Sequence, residues 1–236
     1  MGWVYLQVDP VVAGLMAAVY AAAALVRPLW TTMRIRRGAP VDAYRHWFVA
    51  AHLVGILLLV ALVPGIDAGT LGLSWQSGGD WPAALVGTAL CIAIAVMATS
   101  WAYSARKAKG RYLDAPLPDL TEITEKVVVG SRDALLFVAV PMLLAIGVFD
   151  LPATWAVVGA ALMYGFHHLS TGPVAVSRAA AGGAALAVYL LCGHVALPAL
   201  VLIAAALVPD YGWPRPPAEP PPAAALTVIE PPAPLR

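Results

Sequence analysis

The sequence predicts an all-α, polytopic membrane helix bundle of about seven transmembrane helices. Three observations carry that expectation. Hydrophobic residues fill 61% of the 236 positions and charged residues only 11%, roughly half the charge of an ordinary soluble domain. Mean hydropathy is +0.81. The apolar positions gather into seven runs whose connecting loops alternate in charge. Arg34, Arg36, Arg37 and Arg45 fill one gap, Arg106, Lys107, Lys109 and Arg111 another, and Arg178 a third. The opposite gaps carry Asp9, Asp67, Asp80 and Asp150. Cytoplasmic loops accumulate Lys and Arg, whereas acidic residues count for little. All 14 Lys and Arg can be placed on one side. The expected N-terminus is therefore outside and the C-terminus cytosolic, in a bacterial-type plasma membrane.

About 20 apolar residues cross the hydrocarbon, and that length sets the elements. The first covers about 10–33, with Pro28 near its inner end. The second covers about 42–63 and stops at Pro64-Gly65. The outer loop 65–80 is Gly-rich, with Trp75 and Trp81 suited to the interface. The third covers about 81–105; basic residues, Pro116 and Pro118 follow it. The fourth covers 119–149, with Asp119 or Thr121 as a candidate cap. The last three cover about 152–168, 173–192 and 194–208, short enough for close packing and little tilt. Residues 1–208 form the expected membrane domain. The tail 209–236 has ten prolines in 28 residues, which suits an extended cytosolic segment that recruits a partner rather than a core.

Several classes are excluded. Cys91 and Cys192 lie in apolar runs without metal-ligand spacing, so neither a disulfide nor a zinc site is expected. No cofactor is predicted. The basic residues flank spans instead of forming one patch, so nucleic acid is not an expected partner; the lipid bilayer is. The first nine residues lack a basic stretch and a cleavage site, so the first run is read as a retained helix. Leu6 stands where myristoylation needs Ser or Thr.

Ionisable groups inside spans are costly and are functional candidates by default. The fourth run carries Glu122, Glu125, Lys126, Arg132 and Asp133 in its cytosolic third. The fifth ends in Tyr164-Gly165-Phe166-His167-His168. The two ends converge on one shallow inward-facing cavity in the expected topology. The candidate site is Glu122, Glu125, Arg132 and His168, with His167 beside it.

The order of these features resembles the CPBP intramembrane proteases, the type II CAAX prenyl endopeptidases or Abi proteins. That family carries Glu-Glu-x-x-x-Arg, then Phe-x-x-x-His, then His-x-x-x-Asn or Asp. The stretch 127–132, ending in Arg132, is similar to the first motif, and 164–168 to the second, with Tyr164 for Phe and His168 for His. The third falls within 193–207, and Leu71-Gly72-Leu73 is similar to a tract common in the family. The resemblance covers 65–208 and implies a CPBP-like core and a membrane endopeptidase site. The paired glutamates, however, align with Val127 and Val128, the last histidine with Ile203 and the following polar residue with Leu207. Valine and isoleucine neither accept a proton nor donate a hydrogen bond. The resemblance thus implies a catalytically degenerate member that binds a peptide, a lipidated segment or a partner protein.

Two alternatives stand beside it. Glu125 lies seven residues before Arg132, on nearly the same helical face, and could serve as a shifted general base with His168 opposite. The plain reading is that Glu122 and Glu125 solvate the start of a helix whose dipole favours negative charge there. Alternatively, His52 and His168 could hold haem or a metal in a membrane subunit. Plain readings also exist for the other polar groups. Arg132 snorkels to the interface or pairs with Asp133 or Glu125. His167 faces the headgroups, and His194 is solvated. His46 and His52, six apart, share no face. Ala179, Gly182, Gly183 and Ala187 permit close helix packing, and Met142 and Met163 fill space.

Overall fold

The structure, a computed structural model, describes residues 9–36, 45–62, 66–67, 69–73, 81–107, 120–169 and 174–212. All regular structure among them is helical: α1 (Pro10–Arg36), α2 (Arg45–Leu62), α3 (Trp81–Lys107), α4 (Leu120–Val148), α5 (Ala153–His167), α6 (Val174–Cys192) and α7 (Ala196–Gly212). Four segments among the described residues are long and apolar enough to cross a membrane: Pro10–Thr31, Trp81–Ala102, Leu120–Val148 and Val174–Cys192. Their outward faces are greasy. Leu85, Leu90, Met97 and Trp101 on α3, and Val11, Leu15 and Val19 on α1, are all exposed. Water would penalise such a band, and lipid would solvate it. The fold is compatible with an integral membrane protein. Trp75, the inner loop with Pro116, Pro118 and Asp119, the side chain of His46 and the tail from 213 lie outside the described residues. The helix of α7 continues past the expected boundary at 208, to Gly212.

Small residues set the packing. On α3, Ala84, Thr88, Ala95, Thr99 and Ala102 are buried, a stripe at helical spacing that lets α6 and α7 approach. The Thr88 hydroxyl donates to the Ala84 carbonyl at 2.6 Å, so its burial leaves no orphan there. Gly165 of α5 rests on Ala175 and Ala179 of α6, and Gly182 of α6 receives the Tyr164 ring. The small-residue reading of this helix holds at Ala179 and Gly182; Ala187 is exposed. Gly130 of α4 is the tightest of these points. A Cβ there would stand 2.5 Å from the Ile203 side chain and 3.2 Å from its backbone on α7.

The buried centre is α4. Its first ten residues, 120–129, are exposed or partly exposed, Gly130 is buried, and from Arg132 onward it is largely enclosed. Pro141 interrupts its ladder, because proline lacks an N–H and its ring crowds the carbonyl four residues earlier. The helix widens into π-turns on either side, at Leu135–Ala139 and Leu143–Val148. The Val140 N–H accordingly donates to Leu135 and the Phe149 N–H to Leu144. Asp150 closes the helix at φ 50°, with the Leu151 N–H on the Ala145 carbonyl at 2.8 Å. This left-handed cap suits glycine best and tolerates aspartate.

On the other face, Leu71-Gly72 docks on the α6–α7 corner. Gly72 has φ +68°, its carbonyl accepts the Val195 N–H at 2.9 Å, and a Cβ would meet the Gly193 carbonyl at 2.5 Å. Both glycines of this contact adopt positive φ, so that tract has a steric explanation.

Gly130→Ala should cost about 1–3 kcal/mol through overpacking, read by thermal unfolding in detergent. Adding Ile203→Ala should restore part of the loss. Asp150→Gly should hold or raise stability, whereas Asp150→Val should lower it by at least about 1 kcal/mol.

Candidate functional site

Where α4 enters the bundle, seven polar side chains from four helices meet. Arg132 is 1% exposed and Asp133 is 2% exposed. The Arg132 guanidinium donates to Asp133 Oδ1 and forms an ion pair with it. The other oxygen, Oδ2, accepts the Tyr164 hydroxyl at 3.1 Å and stands 4.0 Å from His168 Nε2. Tyr164 and His168 are four apart at the end of α5, so both point to one face. Their rings meet edge-on at 4.9 Å.

The second half of the cluster is built on histidine. Arg132 Nη1 lies 3.3 Å from His52 Nδ1 of α2. His167 Nδ1 lies 3.1 Å from the Ala24 carbonyl and its Nε2 lies 2.9 Å from Arg27 Nη1, both on α1. A carbonyl only accepts and a guanidinium only donates. His167 must therefore carry its proton on Nδ1 and accept at Nε2, as a neutral ring. By the same argument His52 is unprotonated at Nδ1. Phe137 packs against the His167 ring at 4.7 Å and the Tyr164 ring at 5.1 Å, and so fixes the spacing.

The expected convergence of Arg132 and His168 is found, and its bridge is Asp133. Of the two plain readings of Arg132, pairing with Asp133 is the one found, and at 1% exposure the side chain does not snorkel. The plain readings of two histidines are corrected. His167 does not face the headgroups. It is 2% exposed, since α1 covers the end of α5 and supplies both its partners. His194 is partly buried rather than solvated, with its ring 6.1 Å from that of Trp81. Glu122 and Glu125 lie on the part of α4 before Gly130 and are partly exposed. Val127 and Val128 are exposed at 41% and 45%, one turn outside the enclosed part of α4, and Ile203 packs on Gly130.

Asp133, Tyr164 and Arg27 were missed as site residues. Arg27 carried a readable signal, an arginine inside an apolar run. Asp133 carried a weaker one, because a neighbouring Arg reads equally as a surface pair.

Beside the cluster, between α1, α2 and α4, lies a cavity of about 290 Å3. Met16, Ile56, Leu136, Val140 and Leu144 line it, with His52 and Tyr20 as polar members. A second cavity of about 220 Å3 lies across Tyr20, between α1, α4 and α5. The buried Tyr20 hydroxyl has no hydrogen-bond partner among the described residues. No group of three or more His, Cys, Asp or Glu among the described residues is placed to hold a metal ion. His52 turns its Nδ1 toward a guanidinium, a poor neighbour for a cation.

The class defined by fold and site is an all-helical, membrane-compatible bundle with a buried Arg–Asp–Tyr–His cluster beside an apolar cavity. No family model, curated protein or solved structure matches the chain.

Asp133→Asn should strand the Arg132 charge and cost about 3–5 kcal/mol, while replacing both residues by leucine should cost less. Tyr164→Phe should cost about 1.5–3 kcal/mol, as for a hydrogen bond to a charged group. Thermal unfolding of the three variants in one detergent ranks them.

Proposed function

We propose that this chain is an integral membrane protein of the CPBP type that has lost peptide-bond hydrolysis and works by binding. It crosses the membrane with seven helices, N-terminus outside and C-terminus in the cytosol of a bacterial-type plasma membrane. It holds an apolar membrane peptide or a lipidated segment without cutting it, and its Pro-rich tail engages a partner.

One observation carries the reading. The carboxylate of the polar cluster and one of its histidines are taken up by neighbours in the cluster and on α1, while the space beside it is apolar. A general base needs a lone pair within reach of the proton it takes. Both oxygens of Asp133 already have partners, and both ring nitrogens of His167 are engaged. The equivalents of the family's glutamates, Val127 and Val128, face outward, and the equivalent of its last histidine is Ile203, seated on Gly130. Nothing polar stands there to activate water or steady an oxyanion.

The test is a cleavage and capture assay on the full chain in liposomes, with a photoreactive prenylated peptide as probe. The expected result is crosslinking without turnover above protein-free liposomes. Turnover that disappears in Glu125→Gln or His168→Ala would instead establish the shifted-base endopeptidase.

A further inference from the structure

The cavity between α1, α2 and α4 is long rather than round. Its lining runs from Met16 to Val26 on α1 and from Leu136 to Leu144 on α4. At 1.5 Å rise per residue these stretches span about 12–15 Å along the helices, the direction in which lipid chains lie in a bilayer. Its rim is open to the side: Val19 and Val26 line it and are 52% and 49% exposed. Gly55 lines it too, and a Cβ at Gly55 would meet nothing within 4 Å.

One end is charged. His52, at that end, touches Arg132. Arg27 follows Val26 of the rim, is itself partly exposed, and bonds His167. The charged side chains bonded within the cluster are Arg27, Arg132 and Asp133. They comprise two guanidiniums and one carboxylate, and that carboxylate is bonded to Arg132. The buried Nε of Arg132 has no hydrogen-bond partner among the described residues. Positive charge in a low-dielectric setting attracts an anion more strongly than it does in water. The buried Tyr20 hydroxyl in the wall is a donor that an ester or phosphate oxygen would satisfy.

We infer that this cavity seats one acyl chain of an anionic membrane phospholipid, with the headgroup phosphate at the Arg27 end. The inference rests on the reading of the cavity as a binding site, and names its resident occupant. Bilayer lipid is the species at highest concentration beside the rim, and charge complementarity selects the anionic kind.

The test uses the full chain, stripped of lipid in detergent and re-incubated separately with dioleoyl phosphatidylglycerol and dioleoyl phosphatidylcholine, then examined by native mass spectrometry. Wild type should retain phosphatidylglycerol about fivefold or more over phosphatidylcholine. Gly55→Leu should fill the cavity and abolish retention. Gly159→Leu, in the second cavity, where a Cβ also meets nothing within 4 Å, should leave retention intact. Arg27→Gln should erase the preference for charge, and Arg27→Lys should restore it. Gel filtration and unfolding temperature establish that each variant is folded. Equal retention of the two lipids, or full retention by Gly55→Leu, overturns the inference. Peptide turnover by a chain that still shows the lipid pattern would overturn the non-hydrolytic reading and leave the lipid site standing.

Discussion

A carboxylate placed among helices and away from water has to be answered, and the architecture around Asp133 is the answer. Its charge is met by Arg132, and its second oxygen is met by Tyr164, with His168 beside it. Arg132 in turn needs acceptors, so His52 of α2 comes to it, and His167, next to His168, brings in Arg27 and the Ala24 carbonyl of α1. One buried pair thereby ties α1, α2, α4 and α5. Apolar packing alone would define their positions less sharply. Lipid-facing helices gain little from burying grease against grease, and directional polar contacts contribute more of the specificity there.

The backbone of α4 makes the arrangement possible. Gly130 lets α7 close on α4 just before Arg132, so the charged pair sits immediately inside the enclosed part of the helix. Beyond it, Pro141 breaks the regular ladder, and two π-turns absorb the break. A π-turn widens the helix and rotates the residues beyond it relative to those before. Nearly every side chain from Leu136 to Ile146 is buried as a result, on more than one face. The elongated cavity follows the same stretch, where Leu136, Val140 and Leu144 line it across both π-turns.

Run length and Gly/Pro punctuation made the helices legible. The described residues are helical where the apolar runs lie, and four of those helices are long and apolar enough to cross a membrane, because length and apolarity are local properties that no distant contact overrides. The convergence of Arg132 and His168 was also legible, since charge in a span is rare and the expected topology put both residues toward one side. The role of Asp133 was not. The sequence shows it adjacent to Arg132, and only the three-dimensional approach of Tyr164 and His168 separates a surface pair from a buried hub. The inward turn of His167 was likewise hidden, because its partners are 140 and 143 residues away on a helix whose contacts no local pattern reports. The π-turns have a local cause in Pro141, yet proline predicts only that the ladder breaks, not how the break is absorbed.

The distribution of polar groups argues for holding rather than cutting. Hydrolysis needs a base with spare basicity, a water to activate and a donor for the oxyanion, all facing one point. In this bundle the acid is neutralised by its neighbour and saturated by a phenol, and one histidine has both nitrogens committed. Freeing any of these groups for chemistry would unpair another in a low-dielectric setting, at a cost of several kcal/mol per buried charge. Binding makes no such demand. An apolar chain entering the cavity would meet a lining that is apolar among the described residues except at His52 and Tyr20, and the Tyr20 hydroxyl would gain a partner. On the proposed reading, a polar anchor bonded largely to itself would fix the shape of the apolar slot beside it and leave that slot open to a guest.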